Sequence, residues 1–256
     1  MLATGLGLER LVLGVGSEQH SIFLRRGSSD TQLVGQIFVD AAFSLASLPR
    51  ARELRTFLGA CRAVGRRPLI IDGGANIGLS SLVLSLQCPD ALVVAVEPDA
   101  ANFQLLVANT AGLPVLPLLA ALGATPGRCV LHDPGEGAWA YRTKIARDEA
   151  DAATVVGMVT IDEILDAHAD CVPFIVKLDI EGAEADTFAA EAAWLDRVPL
   201  LIVEPHDWML PRQRSAQPVF RRLARADRDF ILAGENLVSM AIDLPWPAGP
   251  TPIGQG

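Results

Sequence analysis

From Pro68 onward, short apolar runs alternate with stretches of helical periodicity, and this alternation limits the available folds more than any other feature. Residues 69–72 (LIID), 91–97 (ALVVAVE), 115–120, 174–179 and 200–204 (LLIVE) read as strands. Residues 79–86, 102–109, 184–194 and 218–227 read as the helices that follow them. Apolar runs without polar alternation belong to strands covered on both faces. Strand–helix–strand order therefore predicts a parallel α/β sheet with right-handed crossovers, closed by a hairpin from residues 230–232 and 237–242.

Residues 1–66 read as an N-terminal extension available for substrate or oligomer contacts. It holds a strand-like piece at 21–24, a short helix in SSDTQLVGQIF capped by Ser29 or Asp30, and an amphipathic helix over 50–66 ending at Gly65. Residues 67–245 form the main domain, and 246–256, rich in proline and glycine, a flexible tail. Residues 128–158 read as an irregular connection, too polar and glycine-rich for core. Within it, Trp139 and Tyr141 either stack on an acceptor ring or anchor the loop. Six arginines between Arg212 and Arg228 read as a solvated helix face, with Val219, Leu223, Ala226 and Phe230 as its packing stripe.

The net charge of −9 would repel a phosphate backbone, so no nucleic-acid partner is expected. No stretch reaches the roughly 18 uncharged apolar residues of a membrane span, and Glu9 and Arg10 cut the apolar N-terminus. Cys61, Cys88, Cys129 and Cys171 lie far apart, which offers neither a CxxC zinc site nor a disulfide framework. The expectation is a soluble, cytoplasmic protein with reduced thiols, and a homodimer is compatible with it.

The first strand runs directly into a glycine loop and a helix, IIDGGANIGLSSL. Glycine is needed where a backbone turns tightly near a ligand, and the helix start supplies free N–H groups. The spacing Asp72-x-Gly74-x-Asn76-x-Gly78 is not GxGxxG. Asp72 would repel a pyrophosphate but suits a ligand carrying an ammonium group. Glu97, ending the second strand, suits ribose hydroxyls. Together these indicate a nucleoside with a zwitterionic tail, which describes S-adenosylmethionine better than NAD.

The segments IDGGANIGLSSL, VEPDAANFQLLVAN, TIDEIL, IVKLDIEGAE and LLIVEPH, in this order, resemble FkbM-type S-adenosylmethionine-dependent methyltransferases. The resemblance covers residues 68–206, and K-x-D-x-E-G-x-E is its most specific part. It implies a class I methyltransferase Rossmann-like fold: a mostly parallel seven-stranded sheet with helices on both faces. It also implies O-methylation of a hydroxyl on a small molecule such as a sugar or polyketide-type natural product. By that similarity Asp72, Gly74, Asn76 and Gly78, with Gly73 in the same loop, hold the methionine end. Glu97 then holds the ribose, and residues near Pro98 and Leu122 the adenine.

In open α/β sheets ligands bind at the carboxyl ends of the strands. IVKLDIEGAE and LLIVEPH therefore aim Lys177, Asp179, Glu204 and His206 into one crevice. His206 is the expected general base, with Asp179 or Glu181 orienting it or the acceptor. Glu184 is expected to complement a helix dipole, and Lys177 to pair with Asp179 or orient the acceptor. A divalent cation on the same groups is the alternative, not the expectation. Two other functions compete with methyl transfer: a nicotinamide-dependent oxidoreductase and a non-catalytic nucleoside-binding module.

Overall fold

The structure is a computed structural model, which describes residues 7–15, 18–132, 142–145, 155–189 and 191–247. Strands β1 (Leu8–Val15) and β2 (Glu18–Arg25) form an antiparallel hairpin. Helices α1 (Asp30–Val34) and α2 (Ala51–Ala63) follow, and Gly65 after α2 takes a positive φ of 71°. The chain then alternates through β3 (Pro68–Gly73), α3 (Leu79–Gln87), β4 (Leu92–Glu97), α4 (Ala100–Asn109) and β5 (Val115–Leu119). Four strands come next: β6 (Ala121–Leu122), β7 (Gly127–His132), β8 (Arg142–Ile145) and β9 (Val155–Val159). The remainder comprises α5 (Ile161–Ala167), β10 (Val172–Leu178), α6 (Glu184–Thr187), β11 (Leu200–Val203), α7 (Gln217–Leu223), β12 (Arg228–Ala233) and β13 (Asn236–Ala241).

The central sheet has seven strands in the order β12-β13-β11-β10-β3-β4-β5. The pairs from β11 to β5 are parallel, and β13 is antiparallel to both β11 and β12. Chain direction across the sheet reverses between β3 and β10, so their carboxyl ends open a crevice at the switch point. Side chains alternate across the sheet: Ile70 joins one hydrophobic cluster, while Leu69 and Ile71 join the other. The sheet is thus buried on both faces, as its uninterrupted apolar strands require.

The N-terminal residues share this core. Ile22, Leu24, Phe43, Leu45, Leu54 and Phe57 belong to the same buried cluster as Ile70, Leu82 and Phe174. Asp30 is fully buried and bound by Arg25 through its backbone N–H and both ends of its guanidinium, at 2.8–2.9 Å. Gln87 on α3 accepts from Leu45 N and donates to Phe43 O, both at 2.8 Å, which fixes residues 43–45 over the sheet.

Three expectations are corrected. Residues 128–158 contain ordered strands: β7 pairs antiparallel with β9 and with β8, and β6 joins β9. The alternation of Cys129 and Leu131 with Val156 and Met158 builds a small core of their own. Trp139 and Tyr141 lie outside the described residues, as does the tail from residue 248. The helix expected over 184–194 is only the single turn of α6, followed by a 3-10 turn (Ala193–Arg197). Finally, Arg228 is not solvated: it is 8% exposed and donates to the carbonyls of Leu195, Val198, Pro199 and Ser239. Phe230 lies on β12 at 50% exposure rather than in a helical stripe.

Candidate active site at the carboxyl ends of β3, β4 and β10

The glycine loop leaves β3 and is pinned at once to β4, because Gly74 N and Ala75 N both donate to Val96 O at 3.0 Å. Gly74 has φ +70°, and a Cβ there would lie 1.8 Å from the carbonyl oxygen of Asp179. Only a glycine lets the loop pass that close to β10. Gly74→Ala is therefore expected to abolish the thermal shift produced by S-adenosylhomocysteine and to lower the melting temperature. Gly112→Ala has a similar φ of +83° but open space around it. It should cost about 1–3 kcal/mol of strain and leave that shift intact.

Asn76 also has a positive φ, 50°, and donates its N–H to Glu97 Oε2 at 2.8 Å. Glu97 Oε1 accepts from Asp99 N and from Asn102 Nδ2, at 3.0 and 3.2 Å. Burial pushes the Glu97 carboxyl up to about 7, against the pull of these donors. Glu97 lines a recess together with Gly74, Asn76, Pro98, Leu122, Asp179 and Glu181. Asn76 Oδ1 is buried with no hydrogen-bond partner among the described residues, so it can accept from a ligand donor. An acceptor at the glycine loop, a carboxylate at the β4 end and apolar edges at Pro98 and Leu122 fit an amino-acid-bearing nucleoside such as S-adenosylmethionine.

A second and larger cavity, of about 480 Å³, adjoins this recess. Its floor is the glycine loop with Lys177, Asp179, Ile202 and Glu204, and its roof is drawn from residues 33–48 and the β12–β13 turn. Gly74, Asn76 and Asp179 line both spaces.

Other expected residues sit beneath the cavities. Asp72 is fully buried and lines neither, because its Oδ2 accepts from Ser80 and Ser81, both at 2.6 Å. Its Oδ1 lies 3.2 Å from Lys177 Nζ, so it holds the loop from below instead of meeting a ligand. Gly73 and Gly78 also lie outside both linings; a Cβ on Gly73 would strike Leu122, and one on Gly78 would strike Leu106. Lys177 is 2% exposed, donates to Gly74 O at 2.9 Å and stands 3.5 Å from Asp179 Oδ2. Burial alone would lower its pKa, but Asp72 and Asp179 overcome that and hold it above its ordinary value.

His206 is 1% exposed and lines neither cavity. Its Nδ1 is 2.9 Å from Glu184 Oε1, and Nε2 lies 3.5 Å from both Asp179 and Glu181 and 3.7 Å from Glu204. Burial opposes the charge, yet Asp179 and Glu184 lift the imidazole to about 11. At neutral pH it is a cation that ties carboxylates together. Glu184 is correspondingly no helix cap: it is fully buried and accepts from Ile180 N at 3.1 Å. Glu181, at φ +55° with Gly182 also left-handed, turns its carboxyl toward His206. Burial and then Asp179 push that carboxyl up to about 8. The donor atoms of Asp179, Glu181 and His206 lie within 4.8 Å of one another, a spacing that would also hold a cation. Asp179 stays below the usual range: burial would raise it, but Lys177 and His206 prevail.

Glu204, passed over in favour of His206 on sequence alone, lines the larger cavity. Burial first and Asp179 second push it up to about 7. Its position at the end of an apolar strand beside Pro205 was the available signal.

Among the described residues no helix is long and apolar enough to cross a membrane. The model of the methyltransferase FkbM domain matches residues 72–232. The hexuronic acid methyltransferase AglP of Haloferax volcanii is 25% identical over 201 residues, 75% of this chain and 81% of that protein. A putative caffeoyl-CoA O-methyltransferase from Staphylococcus aureus aligns at 14% identity and TM-score 0.43, over 84% of this chain and 93% of its own. The O-methyltransferase from Bacillus cereus in complex with SAH aligns at 12% identity and TM-score 0.39, over 84% and 98%. With the loop, the acidic strand ends and the family match over most of the chain, this protein belongs to the FkbM-domain family of S-adenosylmethionine-dependent methyltransferases.

Proposed function

We propose that the protein transfers a methyl group to a hydroxyl of a small molecule such as a sugar or polyketide-type compound, with Glu204 taking the hydroxyl proton. The observation that carries this reading is the shared wall of Gly74, Asn76 and Asp179 between the two cavities. Glu97 with Pro98 and Leu122 would hold the nucleoside, and Gly74 and Asn76 the amino-acid end of the cofactor. The acceptor fills the rest of the larger cavity. When bound, the cofactor supplies an electrophilic methyl on a sulfonium.

This chain's own residues then do the positioning and the proton transfer. Asp179, held ionised by Lys177 and His206, faces both spaces and stabilises positive charge at their junction. Glu204 lines the acceptor side with a carboxyl poised near neutral pH, where a general base works best. His206 and Glu184 lie behind them and fix their geometry, so His206 is a positioning residue here. Methyl transfer to an oxygen is an in-line displacement, for which such positioning supplies much of the rate. The name of AglP, a hexuronic acid methyltransferase, supports a sugar framework in the acceptor but not its charge. All four cysteines are free and buried, which supports a reducing cytoplasm as the compartment.

The test is transfer of labelled methyl from S-adenosylmethionine to a panel of sugars and polyketides, with and without chelator. Label in an ether product, unaffected by chelator, is expected. Label in an ester or amine product would sink the O-methylation reading. Tight cofactor binding without label on any acceptor would favour the non-catalytic module instead. The family match already weighs against the nicotinamide-dependent reading.

A further inference from the structure

The larger cavity is unevenly charged. Four carboxylates line it, and they come from separate parts of the chain: Asp40 from the roof, Asp179 and Glu204 from the strand ends, and Glu235 from the β12–β13 turn. Among the described residues its one cationic lining residue is Lys177, with no arginine or histidine. That cation is already committed. It is 2% exposed and lies within 3.5 Å of both Asp72 and Asp179, with Gly74 O at 2.9 Å.

We propose that the acceptor held in this cavity carries an ammonium group and no carboxylate or phosphate. This rests on reading the cavity as the acceptor site of the methyltransferase. An anionic acceptor would meet this excess of carboxylates with Lys177 already engaged, and like-charge juxtaposition rejects wrong partners. An ammonium gains from the same excess, most directly from Asp40 and Glu235, because Asp179 is already paired with Lys177 and Glu204 is reserved for the hydroxyl proton. The placement of the acids divides their tasks. Asp179 and Glu204 lie at the floor, beside the glycine loop, where the reacting hydroxyl must come. Asp40 and Glu235 are exposed residues of the roof and turn, placed to receive the ammonium. Ile37, Phe43, Leu45 and Val238 add apolar wall to the cavity, which suits an acceptor that also carries an apolar part.

The experiment compares three octyl glycosides on one sugar skeleton: the amino sugar, the neutral sugar and the uronic acid. Their binding to the full chain with S-adenosylhomocysteine is measured by calorimetry at low salt, and methyl transfer is followed separately. The amino sugar is expected to bind at least about tenfold more tightly than the uronic acid, a gap that narrows as salt screens the charges. The double variant D40N/E235Q should bring the two affinities closer together. Equal binding of all three, tighter binding of the uronic acid, or failure of the amino sugar to bind would overturn the proposal. The expected order of binding with no methyl transfer would instead sink the proposed activity and leave the charge preference standing.

Discussion

Replacing Lys177 by methionine is expected to destabilise the protein by about 3–5 kcal/mol, the usual result of removing one partner from a buried ion pair. For a chain of this length that is a fall of about 10 °C in melting temperature. The cause is local: Asp72 is fully buried and keeps only the hydroxyls of Ser80 and Ser81 once Nζ, now at 3.2 Å, is gone. Gly74 O loses its donor at 2.9 Å in the same step, so the glycine loop loosens where it meets both cavities. Thermal denaturation of K177M and of K177M/D72N separates the charge from the packing. The double variant should recover most of the loss, because it leaves no uncompensated charge. If it is no more stable than K177M, the pair is not what holds the loop.

Glu204→Gln is expected to lower kcat/KM by about 10²–10³-fold, within the range for removing a general base. The pH profile distinguishes this from misfolding. A base must be ionised to act, so activity in the unmodified protein should rise about tenfold per unit below pH 7 and level off above it. That limb corresponds to the Glu204 carboxyl, pushed up to about 7 by burial and by Asp179. It should vanish in E204Q. His206, lifted to about 11, would place its limb far higher. A limb that persists near 7 in E204Q would take the proton away from Glu204 and leave Glu97 or Glu181, both also raised by burial, as its source.

What could be read from the sequence followed from how local each signal is. The strand–helix alternation and the loop IIDGGANIGLSSL are contained within single segments, and the parallel strands and the loop appear where expected, although the helix after β10 shrinks to one turn. Glu97, Pro98 and Leu122 likewise line the recess, because strand ends of a parallel sheet converge at its switch point. Residues with distant partners were harder. Asp72 looks like a ligand contact until Lys177 of the neighbouring strand is seen opposite it in register. Glu184 has the position of a helix-dipole acid, but its side chain turns inward to His206. The roof of the larger cavity carries no motif at all. Apart from Gln36 and Asp40, its residues over 33–48 are ordinary apolar and small side chains, and Gln87 on α3 fixes 43–45 in place.

That roof has a consequence for how acceptor range changes in this family. Ile37, Phe43 and Leu45 face the cavity and are also buried members of the core beneath it. A wholesale exchange of this segment between relatives would alter selectivity and foldability together, and most chimaeras should be lost before they are assayed. Gln36, Asp40 and Ala41 also line the cavity yet stand exposed. New selectivity is therefore accessible by point changes at those three positions, a narrow route along which the catalyst can diversify while its scaffold stays fixed.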